Sequence, residues 1–347
     1  MRSQPAKDSQ AMPRARLVAA TLLVLWVAPL HAQSPRAEDV RFSSHELQLG
    51  GILLLPAGQG PFPALVFLHG SGCSTRDEMR PIAEVLVKRG YAVLLFDKRG
   101  CGASQGDWAT ASLFDLASDA EALGFLAARS NVDRARLGLW AISQSGWVAP
   151  VAATRSSLAR FLIVVTGGGA SPREVEVFGY GQRLRSQGSS IEAHPAATKL
   201  LDAYFSYLET GKERAALMQR IGSAKQESWY AAVNLDRILP SEASRPAWAW
   251  VATYDPLPDI QKIKVPTLVL LGARDDLAPT TVSAQKWVAG LQQSGAPGSQ
   301  VVIVPEAGHG LTVGGHHGQG GARQYAVGFL PTVGAWLETL TGVPPAR

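Results

Sequence analysis

Runs that suit a buried strand alternate with runs that suit an amphipathic helix along most of this chain. From Val40 to Leu55, two short strand-like runs flank Gly50-Gly51, which predicts an antiparallel hairpin turning at the glycine pair. Pro56 to Pro63 is rich in Gly and Pro and reads as a loop. Ala64-Leu-Val-Phe-Leu68 is continuously apolar, the pattern of a strand covered on both faces. Arg80 to Arg89 has helical spacing, Gly90 ends it, and Tyr91 to Phe96 is the next buried strand. Asp115 to Arg129 reads as a second helix, and Val132 to Arg136 leads into a strand over Leu137 to Ile142. Further strand runs cover Phe161 to Val165, Val265 to Leu271 and Val301 to Val304, and Tyr325 to Leu340 closes the chain as a helix. This alternation predicts an α/β fold with a mostly parallel central sheet flanked by helices. Residues 171–262 break the rhythm: they carry helical patterning, charged faces and three tryptophans (Trp229, Trp248, Trp250), with no strand run. The expected organisation is therefore a core in two parts, 39–170 and 263–347, around a helical insertion.

The first 32 residues change the picture of charge and location. Arg14 and Arg16 precede an apolar run from Leu17 to Leu30, and Ala32 is a small residue suited to cleavage. This is the pattern of a secretory signal over 1–32, with Met1 or Met12 as the start, and it predicts a secreted or periplasmic protein. A run of 14 residues falls short of the roughly 20 that span a bilayer, so a membrane span is not expected after cleavage. A single N-terminal anchor helix is the competing reading. No cysteine follows Ala32, which speaks against a lipid-anchored form. The segment holds Arg2, Lys7, Arg14 and Arg16 against Asp8, so three of the five net positive charges leave with it. The rest shows no Lys/Arg run with interleaved aromatics, and nucleic acid is not an expected partner.

Three stretches carry candidate chemistry. Gly138 to Pro150 begins as a strand and ends as a helix, with Ala141-Ile-Ser-Gln-Ser145 at the bend. A serine on so sharp a turn stands clear of the backbone, and the residues two positions either side must be small. Ser143 meets that condition with Ala141 and Ser145. Ser145 does not, because its own neighbour is Trp147. A plain strand-to-helix turn with a capping serine is the chemistry-free alternative. His69-Gly-Ser-Gly72 directly follows the strand ending at Leu68, and we expect its histidine to shape the loop rather than move protons. His309, in Pro305-Glu-Ala-Gly-His-Gly310 after the last strand run, is the expected base. His316 and His317 lie in a Gly-rich run without further ligands at metal-binding spacing, so no metal and no cofactor are expected.

With HGSG at 69–72, DKRGCGAS at 97–104 and the bend at 141–145, the chain resembles the α/β-hydrolases. It is most similar to bacterial esterases and to dienelactone-hydrolase-like and dipeptidyl-aminopeptidase-like (prolyl-oligopeptidase-like) members. The resemblance covers most of Val40–Ala170 and Val265–Leu340, and departs in having Ala141 and Ser145 where the G-x-S-x-G motif has glycines. It implies an α/β-hydrolase fold with residues 171–262 as a lid. It implies a triad in the order Ser143, Asp275, His309, with Asp275 taken from Gly272-Ala-Arg-Asp275-Asp276 and Asp276 as runner-up, free to cap the helix near Thr280. It implies an oxyanion hole from the backbone N–H groups of Gln144 and Ser71, with Gly72 the alternative to Ser71. In such a fold the strands before Cys73 and Cys101 are neighbours, which allows a disulfide between them; two buried thiols are the alternative. The leading expectation is a serine hydrolase acting on a small carboxylic ester. A lidded peptidase acting on short peptides is the second reading, and a non-catalytic binding protein the third. Propeller-gated peptidases are excluded, since only 36 residues separate Ala32 from His69 and one propeller blade takes about 40. Glu174 and Glu176 suit an amine anchor poorly, because i and i+2 do not face together on a helix.

Overall fold

Eight strands build the sheet that carries the site: β1 (Arg36–Ser44), β2 (Leu47–Leu55), β3 (Phe62–Leu68), β4 (Ala92–Phe96), β5 (Val132–Ile142), β6 (Phe161–Val165), β7 (Thr267–Gly272) and β8 (Gln300–Val304). The structure, a computed structural model, describes residues 35–314 and 324–343. The expected leader (1–32) and His316 and His317 lie outside the described residues. The strand order is β1-β2-β4-β3-β5-β6-β7-β8; β1 and β2 are antiparallel, β2 meets β4 antiparallel, and every other pair is parallel. The order crosses back at β3, so β3 and β5 lie side by side although β4 separates them in the chain.

Alternation along each strand sends side chains to two apolar layers. Leu65 and Phe67 of β3 pack against Ile82 and Leu86 of α1 (Arg80–Lys88) on one face. Phe329, Val333 and Trp336 of the closing helix (Phe329–Thr341) complete that layer. Ala64, Val66 and Leu68 face the other layer. There they meet Leu116 of α2 (Leu113–Ser118), Leu123 and Leu126 of α3 (Ala122–Ala127) and Val148 of α4 (Ser145–Arg155). Each fully buried Leu or Phe contributes about 1.5–3 kcal/mol, so the sheet is held from both sides.

Three expectations need correction. The first hairpin turns at His45-Glu46, with His45 at φ 48°, and not at Gly50-Gly51, which lie inside β2. The glycines serve close approach instead: a Cβ on Gly51 would sit 2.7 Å from the Leu95 carbonyl oxygen of β4. The helix expected over 115–129 is α2 and α3 joined by a 3₁₀ turn at Asp119–Glu121, where the Asp119 side chain turns inward to Arg99. The last helix begins at Phe329 and not at Tyr325, because Gln324-Tyr325 pairs with Thr312-Val313 as a short ribbon.

The insertion between β6 and β7 is helical: α5 (Pro172–Ser186), α6 (Pro195–Thr210), α7 (Arg214–Ala224) and four single-turn helices, α8 (Tyr230–Val233), α9 (Arg245–Trp248), α10 (Trp250–Thr253) and α11 (Leu257–Ile260). It has its own apolar centre, including Tyr204, Phe205, Leu217, Ile221 and Trp229. Trp248 and Trp250 pack at the edge of that centre and also tie it to the rest of the fold. Trp248 Nε1 donates to the Ala109 carbonyl at 2.7 Å, and the Trp250 ring meets Trp147 edge-on at 5.8 Å. After β7 comes α12 (Thr280–Ser294), and the closing helix is α13. Among the described residues no helix is long and apolar enough to cross a membrane.

Candidate active site

Parallel strands finish at one edge of the sheet, and the register brings the predicted groups to it. Leu68 pairs with Ala141, Ile142 with Val165, and Gly272 with Val304. The residues just beyond those pairs are therefore neighbours: His69–Ser71, Ser143, Thr166, Asp275 and His309.

The bend between β5 and α4 holds Ser143 at φ 53°, a region that costs a non-glycine residue roughly 1–2 kcal/mol. Surrounding hydrogen bonds fix it there: Ser143 N–H donates to the Val165 carbonyl at 3.0 Å, and Gly146 N–H donates to the Ser143 carbonyl at 2.8 Å. The small-residue requirement extends one position further than the motif suggests. A Cβ on Gly146 would lie 2.3 Å from the Gly167 carbonyl carbon. Ser145 is buried, accepts from Ile142 N–H at 2.6 Å and lies 3.1 Å from the Leu68 carbonyl, to which its hydroxyl donates. Its hydroxyl braces the turn.

Around Ser143 a relay is assembled. Ser143 Oγ lies 3.0 Å from His309 Nε2, and His309 Nδ1 lies 2.8 Å from Asp275 Oδ2. The other carboxylate oxygen, Oδ1, accepts the backbone N–H groups of Leu277 and Ala278 at 2.9 Å each. Asp275 thus orients the imidazole and also holds the turn before α12, the second task that the sequence suggested for Asp276. No side chain caps α12, which starts after Pro279. Both Asp275 and His309 are buried, at 7% and 8% exposure, so their contact is shielded from water. The loop carrying His309 is itself pinned, since Gly310 N–H donates to Thr166 Oγ1 at 3.1 Å.

Gly70 and Ser71 pass beside Ser143: a Cβ on Gly70 would stand 3.7 Å from that of Ser143. A cavity of about 210 Å³ opens there, lined by Ser71, Ser143 and His309. Gly72 is not among its lining residues. Gln144 is buried at the start of α4. His69 is turned away from the relay, with Nε2 2.6 Å from the Phe96 carbonyl. Burial, and then the Lys98 charge, press its pKa down to about 4, so it stays neutral. The Cys73 and Cys101 sulfurs are bonded, with Cα atoms 5.7 Å apart, which ties the Ser71 loop to the turn after β4. That turn, 97–104, is anchored by two ion pairs: buried Asp97 accepts from half-buried Arg76, and buried Arg99 from the turn donates to buried Asp119.

The same cavity exposes groups that the sequence did not single out: Ser74, Glu78, Met79, Thr312 and Tyr325. Glu78 accepts from Ser74 Oγ at 2.6 Å. Ser74, Glu78 and Met79 reach the cavity because the chain before α1 folds back over the sheet edge, a tertiary event with no local signal, and Thr312 and Tyr325 reach it from the short ribbon. None of the described lining residues belongs to the helical insertion. Glu174 caps α5 and pairs with Lys286 at 2.7 Å, so it does not face the serine as an amine anchor. A larger cavity, about 810 Å³, lies between β1 and α2–α4 and holds none of the predicted groups, so the chemistry points to the smaller one. Among the described residues no three His, Cys, Asp or Glu side chains converge as a metal-holding group.

Over 112 residues the chain is 32% identical to a quorum-quenching protein of Acinetobacter baumannii, covering 31% of this chain and 36% of that one. Over 127 residues it is 35% identical to a thiohydrolase of Aspergillus aculeatus, covering 34% of this chain and 37% of that one. The matched part thus spans little more than a third of either relative. An esterase of Pyrococcus furiosus has the same fold, with a TM-score of 0.55 at 18% identity over 88% of this chain and 91% of that chain. The model of the alpha/beta hydrolase family matches residues 65–319, most of the length. This chain belongs to the alpha/beta hydrolase family.

Proposed function

We propose that the protein is a serine hydrolase that cleaves small carboxylic esters through an acyl-enzyme. The observation that carries this reading is the relay of 2.8 Å and 3.0 Å contacts ending on a serine held at positive φ. In the proposed cycle Ser143 Oγ attacks the ester carbonyl carbon while His309 Nε2 takes its proton. Asp275 keeps the Nδ1–H tautomer and stabilises the imidazolium. The tetrahedral oxygen is held by the N–H groups of Gln144 and Ser71, each worth about 3 kcal/mol of barrier. His309 returns the proton to the leaving alkoxide, and water, activated by the same imidazole, releases the acid. A cavity of about 210 Å³ with Ser74 and Glu78 on its wall suits a short acyl group better than a long alkyl chain. The proposal includes export from the cytoplasm, supported by the leader pattern over 1–32 and by the Cys73–Cys101 bond.

One observation favours a second reading. The Glu78 carboxylate lines the cavity with Ser143, where it would face a free amine such as a peptide N-terminus. A single assay separates the two. Purified protein and its Ser143→Ala variant are offered short p-nitrophenyl esters in one arm and aminoacyl and prolyl p-nitroanilides in the other. Ester turnover that vanishes in the variant supports the esterase reading. Anilide turnover that exceeds it assigns the protein to the peptidases. No Ser143-dependent turnover in either arm refutes both.

A further inference from the structure

Lys98 is buried, at 3% exposure, yet among the described residues it makes no ion pair. A buried ammonium without a carboxylate in contact is costly and calls for a reason. Its two hydrogen bonds supply one. Nζ donates to the Gly70 carbonyl at 2.8 Å and to Gln144 Oε1 at 2.8 Å. One bond goes to the loop after β3 and the other to the residue after Ser143, the two elements that supply the proposed oxyanion donors.

The bond to Gly70 has a further consequence. The Gly70 carbonyl and the Ser71 N–H are opposite ends of one peptide unit, and in a trans peptide they point in opposite directions. A cation on the carbonyl end fixes the plane of that unit. It also polarises the N–H at the other end, since hydrogen bonds in series strengthen one another by about 10–30%. The bond to the Gln144 side chain holds the second donor's residue against the same ammonium. The Trp108 ring, with its centroid 5.9 Å from Nζ, covers the cation, and Trp248 of the insertion packs edge-on against Trp108.

We infer that Lys98 is a positioning residue for the oxyanion hole, orienting and polarising the Ser71 N–H through the Gly70 carbonyl and fixing Gln144 beside it. The inference rests on the Ser143 reading of the site. It assigns a task to the second residue of the DKRGCGAS turn, whose neighbours Asp97 and Arg99 are engaged in ion pairs. The charged groups around Lys98 are Asp119 from the end of α2, Glu78 from before α1 and Arg99 from its own turn, and the titratable His69 from the loop after β3 stays neutral beside it. Burial lowers its pKa to about 8; Asp119 and Glu78 oppose that shift and Arg99 adds to it.

The test is a pH profile of ester hydrolysis by the full protein and by Lys98→Met, which keeps the stem and removes the charge. At about pH 7 to 8 the lysine is charged and the wild-type kcat is expected at its highest; kcat then falls as pH rises beyond about 8. At pH 7, Lys98→Met is expected to lose at least about tenfold in kcat with KM within about threefold, because the support acts on the transition state. The variant's alkaline decline near pH 8 should be absent. A variant with kcat within about twofold of wild type would overturn the inference. If Lys98→Met does not fold, Lys98→Gln decides the matter: a folded variant with kcat within about twofold of wild type overturns the inference, and a loss of at least about tenfold in kcat with KM nearly unchanged supports it. Wild-type protein without Ser143-dependent turnover would remove the reading of the site and this inference together, whereas an active wild type matched by Lys98→Met removes this inference alone.

Discussion

Replacing Asp275 by Asn keeps the shape of the relay and inverts its hydrogen bonds. In the native protein both carboxylate oxygens accept: Oδ2 from His309 Nδ1, and Oδ1 from Leu277 and Ala278 N–H. An amide has one oxygen and one NH₂, so it cannot satisfy both sides. If its oxygen stays on the two backbone donors, its NH₂ faces Nδ1. The imidazole then carries its proton on Nε2 and cannot take one from Ser143. If the amide flips, the histidine regains the working tautomer, but two buried N–H groups face an NH₂. Each unsatisfied donor costs about 1–3 kcal/mol, so the working arrangement lies roughly 2–6 kcal/mol above the other. At about 1.36 kcal/mol per decade, kcat should fall by between about 30-fold and about 3 × 10⁴-fold. Initial rates on a p-nitrophenyl ester at pH 7.5, with an active-site titration and a melting curve, read this directly. An Asn variant within tenfold of wild type would refute the reasoning, because the tautomer would then not control the proton.

Four further predictions follow from packing and charge. Asp119→Ala leaves Arg99 buried beside an empty site and should destabilise by about 3–5 kcal/mol, read by urea denaturation. The His69 pKa of about 4 lies below the ordinary histidine value of about 6.5, so the unfolded chain binds the extra proton first. Stability should therefore fall as pH drops from about 6.5 towards 4, by on the order of 3 kcal/mol, and His69→Gln should flatten that part of the melting-temperature profile. Gly146→Ala drives a methyl into the Gly167 backbone and should lower Tm by at least about 4 °C. Unreduced protein should take up no thiol label, and Cys101→Ala should cost about 3–4 kcal/mol for the loss of a 28-residue crosslink, read by denaturant titration.

Much of the sheet was legible in the sequence because fully buried strands such as Ala64–Leu68 and Phe161–Val165 are continuous apolar runs of the right length. The positions of Ser143 and His309 were legible for a related reason: each follows such a run and is flanked by residues that a tight turn requires. Asp275 was implied by the resemblance alone, with Asp276 as runner-up, because nothing local distinguishes two adjacent aspartates. The first hairpin was misread because glycine pairs suit both turns and close approaches. Only the packing of β2 on β4 shows that Gly51 serves the second. The break between α2 and α3 was invisible because helical spacing continues through Asp119, and the inward turn of that side chain depends on Arg99, 20 residues earlier. Glu78 and Lys98 carried no local signal at all. One reaches the cavity and the other the Gly70 carbonyl only after β3, β4 and β5 are in register.

The central claim is that Ser143 is the nucleophile. It is tested most directly by treating the native protein with a fluorophosphonate and locating the adduct by peptide mass. We predict one adduct, on Ser143, absent from heat-unfolded protein and strongly slowed in His309→Ala. An adduct on Ser145, or labelling that ignores the loss of His309, would contradict the account.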